Sequence, residues 1–386
     1  MPKWCKILLI VVAVLAVLAA GGVLGWQALM GYFINQYYQT AYEPVELTAD
    51  LAGDAPPEYH LNNLPWFAAA NPFCAAVSLR MIAAQHGREA SLSEVIFYMG
   101  WTYGATYGST QNMPAGISLF PFTDPEPALL AGAPYLGLKR QHYVTSDAQL
   151  FLRAVRFLLS RGYAVRLPLD MAVLYNLPEP TPHSDVLAGY DAEGFYLYET
   201  VCLQGVPCQP GDRGPGERGL YFSDAVVLQA VRSLSEQFRH PWRYSLTIFD
   251  SAPTATDLKP LWRRLGQSLL GGNRYGPPSG ADAIQAAAKA LERSGRFDEG
   301  FLTYGLNIAA HTRRDMAAYL RERFAGEQDI QQAAAALERA AAAYQQALDV
   351  GRQGSAPADI QAMASALRTA AAAEREAARI MLARGE

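Results

Sequence analysis

The sequence has few charged side chains: Asp, Glu, Lys and Arg make up only 18% of its 386 residues. The two signs nearly balance, with 32 basic and 36 acidic residues and a formal net charge of -4. Without a strong positive charge, a protein does not bind nucleic acid by bulk electrostatics, so no nucleic-acid partner is expected. The hydrophobic share of 51% excludes a disordered chain.

Charge is missing altogether from one long segment near the N-terminus. Residues 7–25 form an apolar run, and no Lys or Arg occurs between Lys6 and Arg80. About 20 apolar residues cross the bilayer core as a helix. We therefore predict a transmembrane helix in contact with the lipid bilayer over residues 7–30, with a cytoplasmic N-terminus by the positive-inside rule. The predicted localisation is the cell membrane, single-pass, with the bulk extracytoplasmic. A cleaved signal peptide is the alternative.

Cysteine is also scarce, with four residues in the whole chain. Cys5 precedes the predicted span. Cys202 and Cys208 bracket a short Gly- and Pro-containing loop, and in an exported domain such a pair favours a disulfide. Cys74 is left over, and it is either a small buried hydrophobe or a reactive thiol.

Several chemistry-bearing motifs are absent from the sequence. It contains no GxxxxGK[ST] phosphate-binding loop, and no two histidines have a ligand spacing such as HxxxH. We therefore predict no metal site and no cofactor.

The composition divides the chain into four segments. Residues 1–30 are the cytoplasmic tail and anchor, and residues 31–64 are a linker. Residues 65–256 mix helix and strand patterns, whereas residues 257–386 are Ala-rich with few β-branched residues, as is typical of helices.

Cys74 begins a predicted helix. If Asn71 is the N-cap, Pro72 occupies the first helical position, which proline favours. Cys74 then lies in the first turn, where the helix dipole stabilises a thiolate.

A nucleophilic thiol also needs a base and a group that orients the base. His183 directly precedes a predicted strand, residues 185–191, and Glu199 lies near the end of the next strand, residues 194–201. A turn signal, Asp191 to Gly194, joins the two strands into a hairpin. Cys74, His183 and Glu199 are therefore the predicted catalytic residues.

This arrangement resembles the papain-like cysteine peptidases, in particular double-glycine-peptidase-like domains and the N-terminal domain family of butirosin biosynthesis protein H. The Ala-rich segment is similar to the helical second domain of those proteins. The stretches that carry the resemblance are FCAAVSLRMIAAQHG, LSEVIFYMGWTYG, RLPLDMAVLY and HSDVLAGYDAEGFYLYET.

The resemblance implies an α+β, papain-like cysteine-protease fold, here with an N-terminal transmembrane helix and an α-helical C-terminal domain. It also implies acyl transfer from a carrier thioester to an amine, or peptide hydrolysis as in the wider relatives. Cys74 matches the nucleophile, His183 the base and Glu199 the acidic third residue, which is usually Asp. Ala68 stands where the peptidases carry an oxyanion-stabilising Gln, so Asn71 is the oxyanion candidate, although a helix cap is its simpler role.

Three further residues are candidates for the cleft. Asp170 either lines the cleft or caps the segment that follows it. Trp101 and Tyr103 either cover a substrate or pack within the domain.

The predicted function is a membrane-anchored, extracytoplasmic, cysteine-dependent enzyme that acts on a peptide, amide or acyl substrate. One alternative is an inactive protein of the same fold that serves as an accessory or scaffold subunit of a membrane complex. The other is a ligand-binding module that uses an aromatic cleft.

Overall fold

The computed structural model describes residues 29, 31–69, 73–107, 119–201, 218–272 and 278–386. Its first half is built around one sheet and its second half is helical. The strands are β1 (Pro44–Glu46), β2 (Tyr59–His60), β3 (Thr106–Tyr107), β4 (Leu119–Phe120), β5 (Leu138–Thr145), β6 (Val165–Asp170), β7 (Pro182–Tyr190), β8 (Gly194–Tyr198), β9 (Leu220–Ser223) and β10 (Tyr244–Ser251). The large sheet has the order β1-β5-β10-β6-β7-β8-β9, with β2 against β7, and β3 pairs with β4 separately.

Helices cover the sheet and form the second half. They are α1 (31–42), α2 (Cys74–Gln85), α3 (Leu92–Met99), α4 (Pro125–Gly132), α5 (Ala148–Ser160), α6 (Met171–Tyr175), α7 (Asp224–Gln237), α8 (Lys259–Leu270), α9 (Gly280–Ser294), α10 (Ile308–Arg323), α11 (Gln328–Gln353) and α12 (Pro357–Arg384). A π-helical segment, Phe301–Asn307, leads into α10.

Local sequence signals explain where several helices begin. The carboxylate of Asp147 accepts hydrogen bonds from the N–H groups of Gln149 (2.8 Å) and Leu150 (3.0 Å), and so caps α5. The hydroxyl of Ser91 accepts from the N–H of Glu94 at 3.1 Å and caps α3 in the same way. The Ala-rich segment is helical, as its composition predicts, and it ends in the two long helices α11 and α12.

The predicted fold class is wrong. Instead of an α+β papain-like fold with a membrane helix, the structure is a mixed α/β fold that is 59% helical. Its sheet is mixed because β1 runs parallel to β5 while the other pairs in the sheet are antiparallel. The sequence pattern predicts the hairpin of β7 and β8 but not β1, whose three residues are too few to show an alternating pattern.

The predicted transmembrane helix is also wrong for the described chain. No helix in the described ranges is both long and apolar enough to cross a membrane. The longest helices, α11 and α12, carry several charged residues each along their length. The predicted span, residues 7–30, lies outside the described residues except for Leu29, and the membrane localisation based on it is not kept.

The predicted disulfide is not seen either. The part of the chain that the structure describes contains no disulfide, and its one cysteine, Cys74, is a free thiol. Cys202 and Cys208 lie outside the described residues.

An aromatic cluster holds α1 against the sheet. Tyr38 and Tyr42 of α1 pack on Trp242 and His240, with ring centroids 4.7 Å apart for Tyr38 and His240. Both ring nitrogens of His240 are buried, and neither has a hydrogen-bond partner among the described residues. Burial lowers the pKa of His240 to about 4.

We expect the change His240→Phe to stabilise the protein in acid. The unfolded state binds a proton at His240 near pH 6.5, whereas the folded state resists protonation until about pH 4, so wild-type stability falls as the pH drops through this window. Phenylalanine removes this proton uptake and loses no hydrogen bond. At pH 5 the gain is about 1 kcal/mol, allowing for partial exposure, and it disappears by pH 8.

Thermal melts from pH 4 to pH 8 measure this difference. The control is the same change at His86, His86→Phe. Nδ1 of His86 lies 3.0 Å from the hydroxyl of Ser251, so this histidine has a hydrogen-bond partner, whereas His240 has none among the described residues. A His240→Phe gain that is independent of pH would show that packing, not protonation, is the cause.

Candidate functional site

Helix α2 presents Cys74 at its first residue. The thiol is half-buried, so a reagent or substrate can reach it. The N–H groups of the first turn of a helix have no intrahelical acceptor, and the helix dipole favours negative charge there. Asn71, the predicted oxyanion donor, and Pro72 lie outside the described residues.

Strands β7 and β8 bring His183 and Glu199 together. Val186 pairs with Tyr198 in the antiparallel ladder, and extending this register by one residue puts Asp185 opposite Glu199. His183 lies two residues before Asp185 and therefore faces the same side of the sheet. The hairpin thus collects one imidazole and two carboxylates on one face.

The imidazole makes its acidic contacts through one nitrogen. His183 Nε2 lies 2.6 Å from Glu199 Oε1 and 3.1 Å from Asp185 Oδ1. The side chain of Cys74 is also a neighbour of the ring, and it contributes to the raised pKa of His183. Because Nε2–H is occupied by the carboxylates, Nδ1 is the nitrogen that remains for the thiol. This is the order thiol–imidazole–carboxylate that a cysteine nucleophile requires.

The electrostatics favour the charged imidazole. Burial opposes protonation of His183, but the charges of Asp185 and Glu199 outweigh it and raise its pKa well above the usual value. Burial likewise opposes ionisation of Glu199, yet the charge of His183 and the hydrogen bonds from His183 and Tyr175 lower its pKa. An imidazolium beside the thiol in turn favours a thiolate.

A serine pair fixes the helix against the strand. Ser78 lies one helical turn after Cys74, and its hydroxyl donates to the carbonyl oxygen of Ser184 at 3.1 Å. Its Oγ is also 3.0 Å from Ser184 Oγ, which accepts from Arg166 Nε at 2.7 Å. Since Ser184 is the neighbour of His183, these bonds set the position of the thiol relative to the base.

The structure separates the other predicted residues from this centre. Asp170 caps α6: its carboxylate accepts from the N–H of Ala172 (3.0 Å) and the side chains of Ser233 and Gln237 (both 2.7 Å). It pairs with Pro182, so it faces away from His183. The capping interpretation of Asp170 is therefore the one the structure shows.

The two aromatic candidates are packing residues in the described structure. Trp101 is buried, stacks on Phe122 with centroids 5.1 Å apart and contacts Phe73 edge-on. Tyr103 is fully buried. Together with Phe73 and Met316, it lines a small cleft between α3 and α10. The cleft reaches Phe73, the residue before Cys74, and Tyr103 is connected to the site through this cleft.

The cluster formed by His183, Asp185 and Glu199 also contains the residue types that bind metal ions. His183, Asp185 and Glu199 offer ligand atoms that all lie within 4.8 Å of one another. Ligand atoms about 2.1 Å from a tetrahedral zinc ion lie roughly 3.4 Å apart. The 2.6 Å between His183 Nε2 and Glu199 Oε1 is shorter and fits a direct hydrogen bond. The arrangement therefore suits proton transfer better than metal binding.

Two participants were missed from the sequence. Asp185 was missed although His183 and Asp185 stand two residues apart on a strand, a spacing that places both on one face. Tyr175, whose hydroxyl donates to Glu199 Oε2, comes from α6 and carries no sequence signal for that contact.

No protein-family model matches this chain, and no curated protein matches its sequence.

Proposed function

We propose that the protein is a cysteine-dependent enzyme that acts on a peptide, amide or acyl substrate. The observation that carries this proposal is the half-buried Cys74 thiol at a helix start beside His183, whose Nε2 lies 2.6 Å from Glu199 Oε1. Cys74 is the only one of the three within reach of solvent, as a nucleophile must be. The family resemblance carried by the residues around Cys74 and His183 implies the same class of chemistry.

In the first half-reaction, His183 Nδ1 takes the proton of the Cys74 thiol, and the thiolate sulfur attacks the substrate carbonyl carbon. The oxyanion that forms is stabilised by free N–H groups at the start of α2. The imidazolium then gives its proton to the leaving amine, alcohol or thiol as the carbonyl re-forms. Glu199 keeps the ring oriented and stabilises its positive charge.

The second half-reaction releases the acyl group from Cys74. His183, now neutral, takes a proton from water or from an acceptor amine, which attacks the thioester carbonyl carbon. The thiolate leaves and the acid or amide is released. The identity of this nucleophile decides between hydrolysis and transfer.

We expect the alkylation of Cys74 to depend on His183, because a neighbouring imidazolium favours the thiolate, which is the reactive form. The test is the rate of alkylation by iodoacetamide from pH 5 to pH 9, read at the peptide containing Cys74 by mass spectrometry. In His183→Ala the imidazolium is lost, so the rate at pH 6 falls about 10- to 100-fold.

Two outcomes separate the proposal from its alternative. A Cys74 thiol whose alkylation rate is unchanged in His183→Ala would overturn the enzyme proposal and favour a scaffold role. Where the thiol is activated, ester and peptide substrates are tested next, with Cys74→Ala as the inactive control.

A further inference from the structure

Asp185 is the second carboxylate in contact with His183 Nε2, which is already bound by Glu199. Its Oδ1 lies 3.1 Å from His183 Nε2, while Glu199 Oε1 lies 2.6 Å from the same atom. Both carboxylates are almost completely buried, and acidic side chains are rarely buried without a partner. A cysteine–histidine pair needs only one orienting acceptor, so the proposed mechanism leaves Asp185 unexplained.

The two carboxylates differ in how firmly they are held. Besides His183, Glu199 accepts from the hydroxyl of Tyr175 and from the N–H groups of Thr200 (2.9 Å) and Val201 (3.0 Å). Asp185 Oδ1 has, apart from His183, the hydroxyl of Thr200 at 3.5 Å. Asp185 Oδ2 is buried and has no hydrogen-bond partner among the described residues. Glu199 is therefore fixed, whereas Asp185 has unused hydrogen-bonding capacity.

The charges around the site distinguish the two carboxylates. Asp185 faces His183 on its own strand, Glu199 beyond the end of β8, and Tyr175 of α6. The nearby Arg166 is bonded to Ser184 and Glu126 instead. One imidazolium balances one carboxylate, and a second buried negative charge would be uncompensated. Consistent with this, burial and the charge of Glu199 raise the pKa of Asp185, although His183 opposes them.

We propose that Asp185 is a second positioning residue, which shares the Nε2–H of His183 with Glu199 and holds the imidazole towards Cys74 when Glu199 is neutral or absent. The proposal rests on the proposed function for its chemical meaning, but the shared contact exists whether or not the protein turns over a substrate. It makes a specific claim about redundancy: either carboxylate suffices, and loss of both does not.

The test is a double-mutant cycle on the full chain with Glu199→Gln, Asp185→Asn and the double variant. The rate of Cys74 alkylation by iodoacetamide is measured from pH 5 to pH 9. We expect each single variant to slow the reaction at pH 7 less than about 10-fold. The double variant slows it by more than the product of the two, about 100-fold or more, because coupled residues are not additive.

Asp170→Asn is the matched control. Asp170 is also a buried Asp next to this hairpin, but it faces away from His183 and has structural partners only. It should lower the melting temperature without changing the pH profile of Cys74. An Asp185→Asn variant that behaves like Asp170→Asn, with additive effects in the cycle, would overturn the proposal.

A second readout does not depend on the double variant being folded. The hydrogen-bonded Nε2 proton of His183 gives a downfield proton resonance, assigned by its loss in His183→Ala. In Glu199→Gln this resonance should persist, because Asp185 takes over the hydrogen bond. Its loss there would refute the role of Asp185 even if Cys74 still depends on His183, whereas a thiol indifferent to His183 would refute the proposed function.

Discussion

Replacing Glu374 with alanine is expected to lower the free energy of unfolding by about 3–5 kcal/mol, because it leaves a buried guanidinium without its counter-charge. Arg313 and Glu374 are both completely buried, and Arg313 donates to the two oxygens of Glu374 at 2.7 and 3.2 Å. Arg313 also donates to the carbonyl oxygens of Thr102 (2.6 Å) and Gly104 (3.0 Å). The pair therefore joins α10 and α12 to the segment that follows α3.

The change is measured by urea denaturation followed by circular dichroism. Glu376→Ala is the matched control: Glu376 lies two residues further along α12 and pairs with Arg339, but both side chains are about half exposed. Such a surface pair contributes about 0–1 kcal/mol. Equal losses for the two variants would show that water or other groups already compensate Arg313.

The same ion pair connects the helical half to the candidate site. The carbonyl groups to which Arg313 donates belong to Thr102 and Gly104, the residues on either side of Tyr103. The ring of Tyr103 lines the cleft next to Phe73. Phe73 directly precedes Cys74 and contacts Trp101. Removal of Glu374 should therefore disturb the cleft before it disturbs the Cys74–His183–Glu199 contacts, which are made within α2, β7 and the end of β8.

The site was easier to predict from the sequence than the fold around it. Cys74, His183 and Glu199 could be named because a helix start and a hairpin are local patterns, and the structure brings the three together. Asp185 was missed because its partner, Glu199, becomes its neighbour only through the strand register, which depends on the whole hairpin.

Strand β5 shows why part of the sheet was missed. Its sequence, LKRQHYVT, contains Arg140 and His142, which a hydrophobic pattern assigns to the surface. Both are buried, because Glu126 on α4 neutralises Arg140 and Thr247 on β10 bonds His142 at 3.0 Å. The compensating groups are distant in sequence, so no local window contains the reason for burial.

Replacing Glu126 with glutamine is expected to be at least as destabilising as removing Glu374, by about 3–5 kcal/mol at neutral pH, because one carboxylate serves two buried cations. Glu126 Oε1 lies 2.6 Å from Arg166 and Oε2 lies 2.7 Å from Arg140. Glutamine keeps the shape but removes the charge. The exposed pair of Glu236 with Arg232 supplies the control, Glu236→Gln, which is expected to lose much less stability.

The pKa of Glu126 determines how this loss of stability depends on pH. Burial opposes ionisation of Glu126, but Arg166 and Arg140 outweigh it and hold the pKa of its carboxyl group well below the usual range. The stabilisation is complete above the unfolded pKa of about 4.3 and is lost as the pH falls towards the lower folded value. Wild type and Glu126→Gln should therefore differ most at pH 7 and converge in acid.

Because Arg166 also donates to Ser184 beside His183, Glu126→Gln should also slow Cys74 alkylation at pH 7. A difference between the two proteins that stays constant from pH 7 to pH 3 would mean that Glu126 acts through its shape rather than its charge.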